Sequence, residues 1–378
     1  MSKIIPAEHG IVYARPDDDP FDYFGWPTAA KGENGEIRVV VSGFRAAHVC
    51  PFGKTVLFRS ADEGKTWSAP AVIGNSMIDD RDAGILPLPG GKALVSWFTS
   101  DTRTYFTGKE TFLDRRVPDF NSLLAGWDDT ASMEIGSFVR LFGPDGPVSP
   151  RIRVMPSAPH GPIRLKDGTL FYIGRRFAVR YRHGELAAPV MDTMHDPLLC
   201  CAVSRDGGLT WTETESAPFL DDAPEKGGFC EPHAIELNDG RILALMRTNL
   251  DETGKMAEPA MFSIWQSVSD DRGKTWSRPV HIAHGAPPHL MRHRSGLLLC
   301  SYGWRGGGGF GQRVMFSRDE GKTWDADWII NRDGIDGDLG YPSTVELSDG
   351  SLLTVYYQKP PGNRRNAGVL YSRWRLPF

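Results

Sequence analysis

The chain has 378 residues, is 40% hydrophobic and 24% charged, and carries a net charge of −4 with 42 glycines and 28 prolines. That length can bury a large core, and the weakly acidic balance gives no reason to expect nucleic acid or an anionic membrane as partner. Five cysteines (Cys50, Cys200, Cys201, Cys230, Cys300) are odd in number and lack metal-ligand spacing, so they read as thiols. The N-terminus has no apolar signal core and no run is long enough to span a membrane, so the chain as given is expected to be cytoplasmic.

In chain order, residues 10–15 predict a short strand ahead of the first repeat unit. Repeat units then follow from about Trp26 to Ser68, Asp79 to Arg153 and Pro159 to Trp211, with three more beginning near Glu231, Pro287 and Tyr341. Each opens with a ten-residue segment ending in a turn, such as 231–240 or 341–350, and runs into an apolar strand such as 242–246 or 352–356. Six units average about 63 residues each, which for short strands and Gly-rich turns reads as an all-β, six-bladed propeller forming one domain over residues 1–378. The last segment, 368–373, is a third strand without a partner after it, so the N-terminal strand is expected to close the ring. The second unit is too long for four strands; its excess, about 100–137, predicts an excursion over one face.

Within the units one motif recurs. Ser60-x-Asp62-x-Gly64-x-Thr66-Trp67 returns at Ser204 to Trp211, Ser269 to Trp276 and Ser317 to Trp324, with a worn copy at Gly143-Pro144-Asp145-Gly146 followed by Val148-Ser149-Pro150. It reads as a hairpin: the Asp accepts backbone N–H groups, the Gly takes positive φ, and the Trp pins the return strand. Four copies argue for a structural rather than a catalytic Asp.

In a propeller the opening strands converge on the axis, so their leading residues line one mouth. That gathers Asp82, Glu231 and Tyr341 from first positions and His233 and His289 from third positions, with His160 beside the same rim. Arg81 precedes Asp82; Arg175 and Arg247 lie on the following strands, and Arg45 and His48 at the end of the blade-one strand. Carboxylates, histidines, arginines and a tyrosine together suit acid–base or nucleophilic work on a polar substrate. A histidine metal site is the competing reading of the imidazoles, set aside because they come from different blades; no cofactor is expected.

The recurring hairpin resembles the Asp-box, or BNR repeat, of the sialidase superfamily. The segment Glu231 to Arg247 is similar to the one in which that family pairs a Glu with a substrate-binding Arg, and Gly340-Tyr341-Pro342-Ser343 resembles the last-blade segment bearing its nucleophilic Tyr. The resemblance implies Tyr341 as nucleophile, Glu231 as its base, Arg247 as a clamp, and Asp82 as a pocket-lining acid. Two features depart from it. Gly25-Trp26-Pro27 stands where that family opens blade one with the first of three carboxylate-binding arginines, and His48 lies where its acid/base Asp would fall, so the proton donor is His48 or Asp82. Arg305 and Arg313 are the candidates for the third arginine. The reading is an exo-acting glycoside hydrolase releasing sialic acid or another acidic or deoxy sugar from a glycan, with Arg45, Arg81, His160, Arg175, His233, Arg247, His289 and Arg305 as substrate contacts. The alternatives are a polysaccharide lyase or His-dependent glycosidase on the same scaffold, and a non-catalytic carbohydrate-binding propeller. The oligomeric state is left open.

Overall fold

The computed structural model describes residues 3–102, 134–176, 181–182, 185–186, 199–214, 217–218, 228–250, 253, 262–362 and 365–378. Among them there is no helix. Six antiparallel sheets each begin with one of the opening segments and radiate outward in sequence order. Blade one runs Tyr23–Lys31, Ile37–Arg45, Lys54–Ser60, Ala71–Gly74; blade four runs Cys230–Glu236, Ile242–Thr248, Ser263–Ser269, Val280–His284. The ring closes as the sequence predicts. Ala7–Tyr13, outermost strand of the last blade, pairs antiparallel with Gly368–Trp374. A small hairpin, Tyr181–Arg182 with Glu185–Leu186, stands apart from the blades. Most of the predicted excursion of blade two, 103–133, lies outside the described residues.

The core is divided among the six blade interfaces. One cluster joins Val39, Val41 and Phe58 of blade one to Leu353 and Val355 of blade six; another joins Phe171 and Ile173 of blade three to Ala244 and Met246 of blade four. Clusters between the other neighbours complete the circle. The alternation of each strand explains this: successive side chains point to opposite faces, and both faces of every blade are covered.

The recurring hairpin has the geometry the sequence implies. Asp62 Oδ1 accepts the Lys65 and Thr66 N–H groups at 3.1 and 2.9 Å, its Oδ2 accepts the Thr66 hydroxyl at 2.6 Å, and Ser60 Oγ accepts the Gly64 N–H at 2.8 Å. Both threonine contacts recur around Asp206, Asp271 and Asp319. Gly64 has φ +83°, and Glu63 before it also takes positive φ, 61°. The worn copy is a tight two-residue turn, Gly143 pairing with Gly146. It keeps one element of the pattern: Ser149 Oγ accepts the Leu141 N–H at 2.9 Å, as Ser68 and Ser277 do for Arg59 and Val268 at 3.0 Å.

Candidate functional site

Four opening strands carry a bulge at the same place. The register skips between Gly25 and Thr28, Arg81 and Gly84, Cys230 and His233, and Gly340 and Ser343, so two residues oppose one on the partner strand. The first bulged residue in each is left-handed: Trp26 (φ 55°), Asp82 (49°), Glu231 (47°) and Tyr341 (52°). A left-handed non-glycine costs on the order of 1–3 kcal/mol. Four such residues, one from each of four blades, aim their side chains into one mouth.

Tyr341 and Glu231 meet there. The Tyr341 hydroxyl donates to Glu231 Oε1 at 2.5 Å, Arg247 Nη1 donates to Glu231 Oε2 at 2.5 Å and lies 3.4 Å from the tyrosine oxygen. Burial alone would raise the Glu231 carboxyl, but the Arg247 charge and the two hydrogen bonds outweigh it and hold it below the ordinary range. Tyr341 is pushed well up, by burial and then by the Glu231 charge, so its proton rests on the phenol. Phe262 carries the guanidinium of Arg247 on its face, 3.8 Å from the ring centroid.

Asp82 lines a pocket of about 80 Å³ with Phe98, Ser157, Ala158, Pro159, Arg175, Cys230 and Glu231. Burial raises its carboxyl to about 6 against the opposing charge of Arg81. Asp82 Oδ1 and Arg175 Nε are buried without a hydrogen-bond partner.

His48 sits at the rim with half its side chain (50%) open to solvent. Its Nδ1 lies 2.9 Å from Asp338 Oδ1 and 3.0 Å from the Tyr23 hydroxyl. Desolvation leads in lowering its pKa, helped by Arg81 and Arg45 and opposed by Asp338. Asp338 is a residue the sequence reading did not single out. One of its oxygens accepts Tyr23 at 2.9 Å and Tyr357 at 3.3 Å as well as His48. Its signal was its position, in the loop three residues before Tyr341.

Several expected substrate contacts are elsewhere. Arg45 is fully buried and bound by both nitrogens to Asp79 at 2.5 and 2.9 Å, with Ser42 and the His48 carbonyl as further acceptors. It shapes the loop that carries His48 and does not face the mouth. Arg305 holds the carbonyls of Gly337, Ala286 and Leu339, and so fixes the segment leading to Tyr341; its guanidinium lies 5.1 Å from the Phe262 ring that also carries Arg247. Arg313 pairs with Asp327 and stacks on Trp304. Arg81 stacks on Trp26, 4.7 Å from the ring centroid, and lies 3.9 Å from Asp79. Trp26 itself fills the blade-one position, packed with Tyr23, Tyr341 and Tyr357.

The three axial histidines form a buried layer instead of a rim. His160, His233 and His289 have ring centroids 4.7–5.5 Å apart. His233 Nδ1 accepts the Leu290 N–H at 2.9 Å, His289 Nδ1 accepts the Thr344 N–H at 3.3 Å, and His160 Nδ1 meets the Thr28 hydroxyl at 3.1 Å. These bonds stitch blade four to five, five to six and three to one. An imidazole that accepts at Nδ1 carries its proton at Nε2 when neutral, which leaves His233 and His289 no lone pair for a metal. Among the described residues no three His, Cys, Asp or Glu side chains are grouped to hold a metal ion. Of the five thiols, four are buried and Cys230 is half-buried beside Glu231.

Six bladed sheets, the recurring Ser–Asp–Gly–Thr–Trp hairpins and a polar axial mouth define a propeller of the sialidase-like class. The BNR repeat-like domain family matches residues 157–355, more than half of the chain, and the chain belongs to that family. Among solved structures the fold is similar to a protein of unknown function from Dyadobacter fermentans (TM-score 0.69, 21% identity, 98% of each chain). It is also similar to the NanB sialidase of Streptococcus pneumoniae (TM-score 0.63, 13% identity, 97% of this chain and 70% of that one). A third is the α-L-arabinofuranosidase of Fusarium graminearum (TM-score 0.60, 11% identity, 98% of each chain).

Proposed function

We propose that this protein is an exo-acting glycoside hydrolase working at the propeller mouth. The observation that carries the reading is the 2.5 Å hydrogen bond from Tyr341 to Glu231, with Arg247 clamping the same carboxylate. A phenol is a poor nucleophile until its proton has somewhere to go, and Glu231 is the acceptor. As the glycosidic bond lengthens, positive charge builds on the anomeric carbon. Tyr341 Oη attacks that carbon, its proton passes to Glu231, and a tyrosyl glycoside forms, the tyrosine route that departs from the usual pair of carboxylates.

The leaving oxygen needs a proton from a group near solvent, because the remainder of the glycan departs outward. Half-exposed His48, held at Nδ1 by Asp338, suits that role and would give its proton from Nε2. Protonated His48 gives its proton to the leaving oxygen; neutral His48 then takes one from the water that attacks the tyrosyl glycoside, and Tyr341 recovers its proton from Glu231. Asp82 is the second possible donor, favoured by a carboxyl held at about 6. Its Oδ1 is buried, whereas His48 is half open to solvent, which favours His48. The fold's likeness to both a sialidase and an arabinofuranosidase agrees with exo-hydrolysis and leaves the sugar open.

The test is a panel of aryl glycosides with Tyr341→Phe, His48→Gln and Asp82→Asn beside the wild type. Tyr341→Phe should lower kcat by about a thousandfold or more. His48→Gln should flatten the alkaline limb of the kcat/KM pH profile, where the proton donor is lost, and hurt substrates with poor leaving groups more than activated ones. Turnover of any glycoside undiminished by Tyr341→Phe would sink the mechanism; products absorbing as unsaturated sugars would show a lyase. Saturable glycan binding without turnover would make this a binding propeller.

A further inference from the structure

Resting on the hydrolase reading, we propose that Tyr23 and Tyr357 act on the proton donor through Asp338: with His48 they converge on one carboxylate oxygen, where their hydrogen bonds lock the His48 tautomer and set how firmly its proton is held. The members come from separate parts of the ring. Tyr23 begins the first strand of blade one and His48 lies in the loop after its second; Tyr357 stands on the second strand of blade six, and Asp338 in the loop before its first. Asp338 Oδ1 lies 2.9 Å from the Tyr23 hydroxyl, 2.9 Å from His48 Nδ1 and 3.3 Å from the Tyr357 hydroxyl. Burial would raise the Asp338 carboxyl, but the His48 and Tyr23 hydrogen bonds and the Lys359 charge hold it below the ordinary range, so it is an anion that only accepts. Each of its three neighbours must therefore bring a hydrogen. The Tyr23 hydroxyl lies 3.0 Å from His48 Nδ1 as well, but its single hydrogen goes to the carboxylate, the stronger acceptor. With the ring proton on Nε2 alone, the Nδ1 lone pair would face a carboxylate oxygen at 2.9 Å with no hydrogen between them. With the proton on Nδ1 every contact of the triangle runs from donor to acceptor, and Nε2 becomes the atom that gains and loses a proton.

The phenols also moderate the His48–Asp338 pair. Burial leads in disfavouring the His48 cation, Arg81 and Arg45 push the same way, and Asp338 is the carboxylate that opposes them. A hydrogen bond from either phenol draws off part of that carboxylate charge, so less of it supports the imidazolium. Burial first, and the Asp338 charge after it, hold both phenols well above the ordinary tyrosine value, so they remain donors throughout the neutral range. The carboxylate itself is held in place. Arg305 binds the carbonyls on either side of it, Gly337 at 3.0 Å and Leu339; the Asp338 N–H donates to Asp336 Oδ1 at 3.0 Å, and Lys359 binds Asp336 Oδ2 at 2.5 Å. Tyr341 follows three residues on, so one pinned segment carries both the anchor of the proton donor and the nucleophile.

The experiment is heteronuclear NMR of the full chain labelled at its histidine nitrogens, titrated over about pH 4 to 8, with the His48 signals identified by their loss in His48→Gln. In neutral His48, Nδ1 should read as protonated and Nε2 as bearing the lone pair, the opposite of His233 and His289, which accept at Nδ1. Tyr23→Phe and Tyr357→Phe should each raise the His48 pKa by a few tenths of a unit, Tyr23→Phe by more because its bond is shorter. Asp338→Asn should lower it by about one unit. The alkaline limb of the kcat/KM profile should move with it in every variant, by the same amount and in the same direction. Thermal melting of each variant separates a moved pKa from a lost fold, and the tautomer is read on the wild type with no substitution at all. A lone pair on Nδ1 overturns the inference, as does a His48 pKa unmoved or lowered in the phenylalanine variants. The two readings fail differently. The expected tautomer and shifts in a protein that turns over no glycoside would leave the cluster standing and remove the hydrolase. Turnover that is lost in Tyr341→Phe, with an alkaline limb indifferent to the moved His48 pKa, would keep the hydrolase and remove His48 as its donor.

Discussion

Arg247 shows how one side chain serves both stability and chemistry. It holds Glu231 ionised in a place where burial would otherwise raise its carboxyl. Arg247→Met should leave that carboxylate without a counter-ion at about one-fifth exposure, 19%, and cost roughly 2–4 kcal/mol in urea unfolding. Glu231 would then keep a proton of its own and lose its capacity to take one from Tyr341, so kcat should fall by about a hundredfold or more, with the pH at half-activity moving upward. A variant as stable and active as the wild type would show that Arg247 is not what keeps Glu231 charged. This pair was legible in the sequence because its members sit on neighbouring strands, where spacing fixes position. Asp338, Arg45 and Arg305 were not. Spacing places a residue on a strand end or loop, but whether its side chain turns to the mouth depends on partners such as Asp79 or Tyr23, which are contributed by other parts of the ring.

Among the elements, the Asp-box hairpin and the bulged opening strand do opposite work. The hairpin satisfies its own backbone donors and reaches over the preceding blade. A Cβ on Gly64 would lie 2.8 Å from Leu353 of blade six, and one on Gly273 would lie 2.6 Å from Phe171 of blade three. The blade thus locks to its neighbour through a glycine that must also take positive φ. Gly273→Ala should cost about 2–4 kcal/mol, the sum of left-handed strain and a clash with a packed ring. Gly240→Ala, at φ +89° with open space around it, should cost only the strain, about 1 kcal/mol. Equal losses in thermal or urea unfolding would mean that the contact over the neighbouring blade contributes nothing. The repeat made these hairpins readable four times over. The bulge was not readable, since no side-chain pattern marks it and the left-handed residues are a Trp, an Asp, a Glu and a Tyr; what sets them apart is the task of pointing into the centre.

For the whole molecule, the axis is where six blades must be tied without the help of their outer hairpins, and the histidine layer does this as a neutral network. Burial holds the pKa of His233 down to about 4, and those of His160 and His289 well below the ordinary value. In the unfolded chain each would titrate near 6.5. Below about pH 6.5 the unfolded state therefore binds protons that the folded ring refuses, so the stability these groups contribute is complete above that pH and is lost as the solution is acidified. Each withdraws about 1.4 kcal/mol per pH unit. Two buried carboxyls act the other way: Asp80 is raised to about 7 and Asp82 to about 6, chiefly by burial. Their folded pKa exceeds the unfolded one, so they destabilise at neutral pH and that penalty lifts as the pH falls toward the unfolded carboxylate value. Between about pH 6 and 4.5 the three axial histidines oppose the two aspartates, and these five groups together give a loss of roughly 1.4 kcal/mol per pH unit, to which His48, its pKa also lowered, adds. His289→Gln keeps an acceptor for the Thr344 N–H while removing one titrating group. Its stability should start near or below that of the wild type at neutral pH and then fall about 1.4 kcal/mol per pH unit less steeply through the same interval. Urea unfolding at half-unit steps of pH reads both slopes, and parallel slopes would mean that the layer admits protons while still folded.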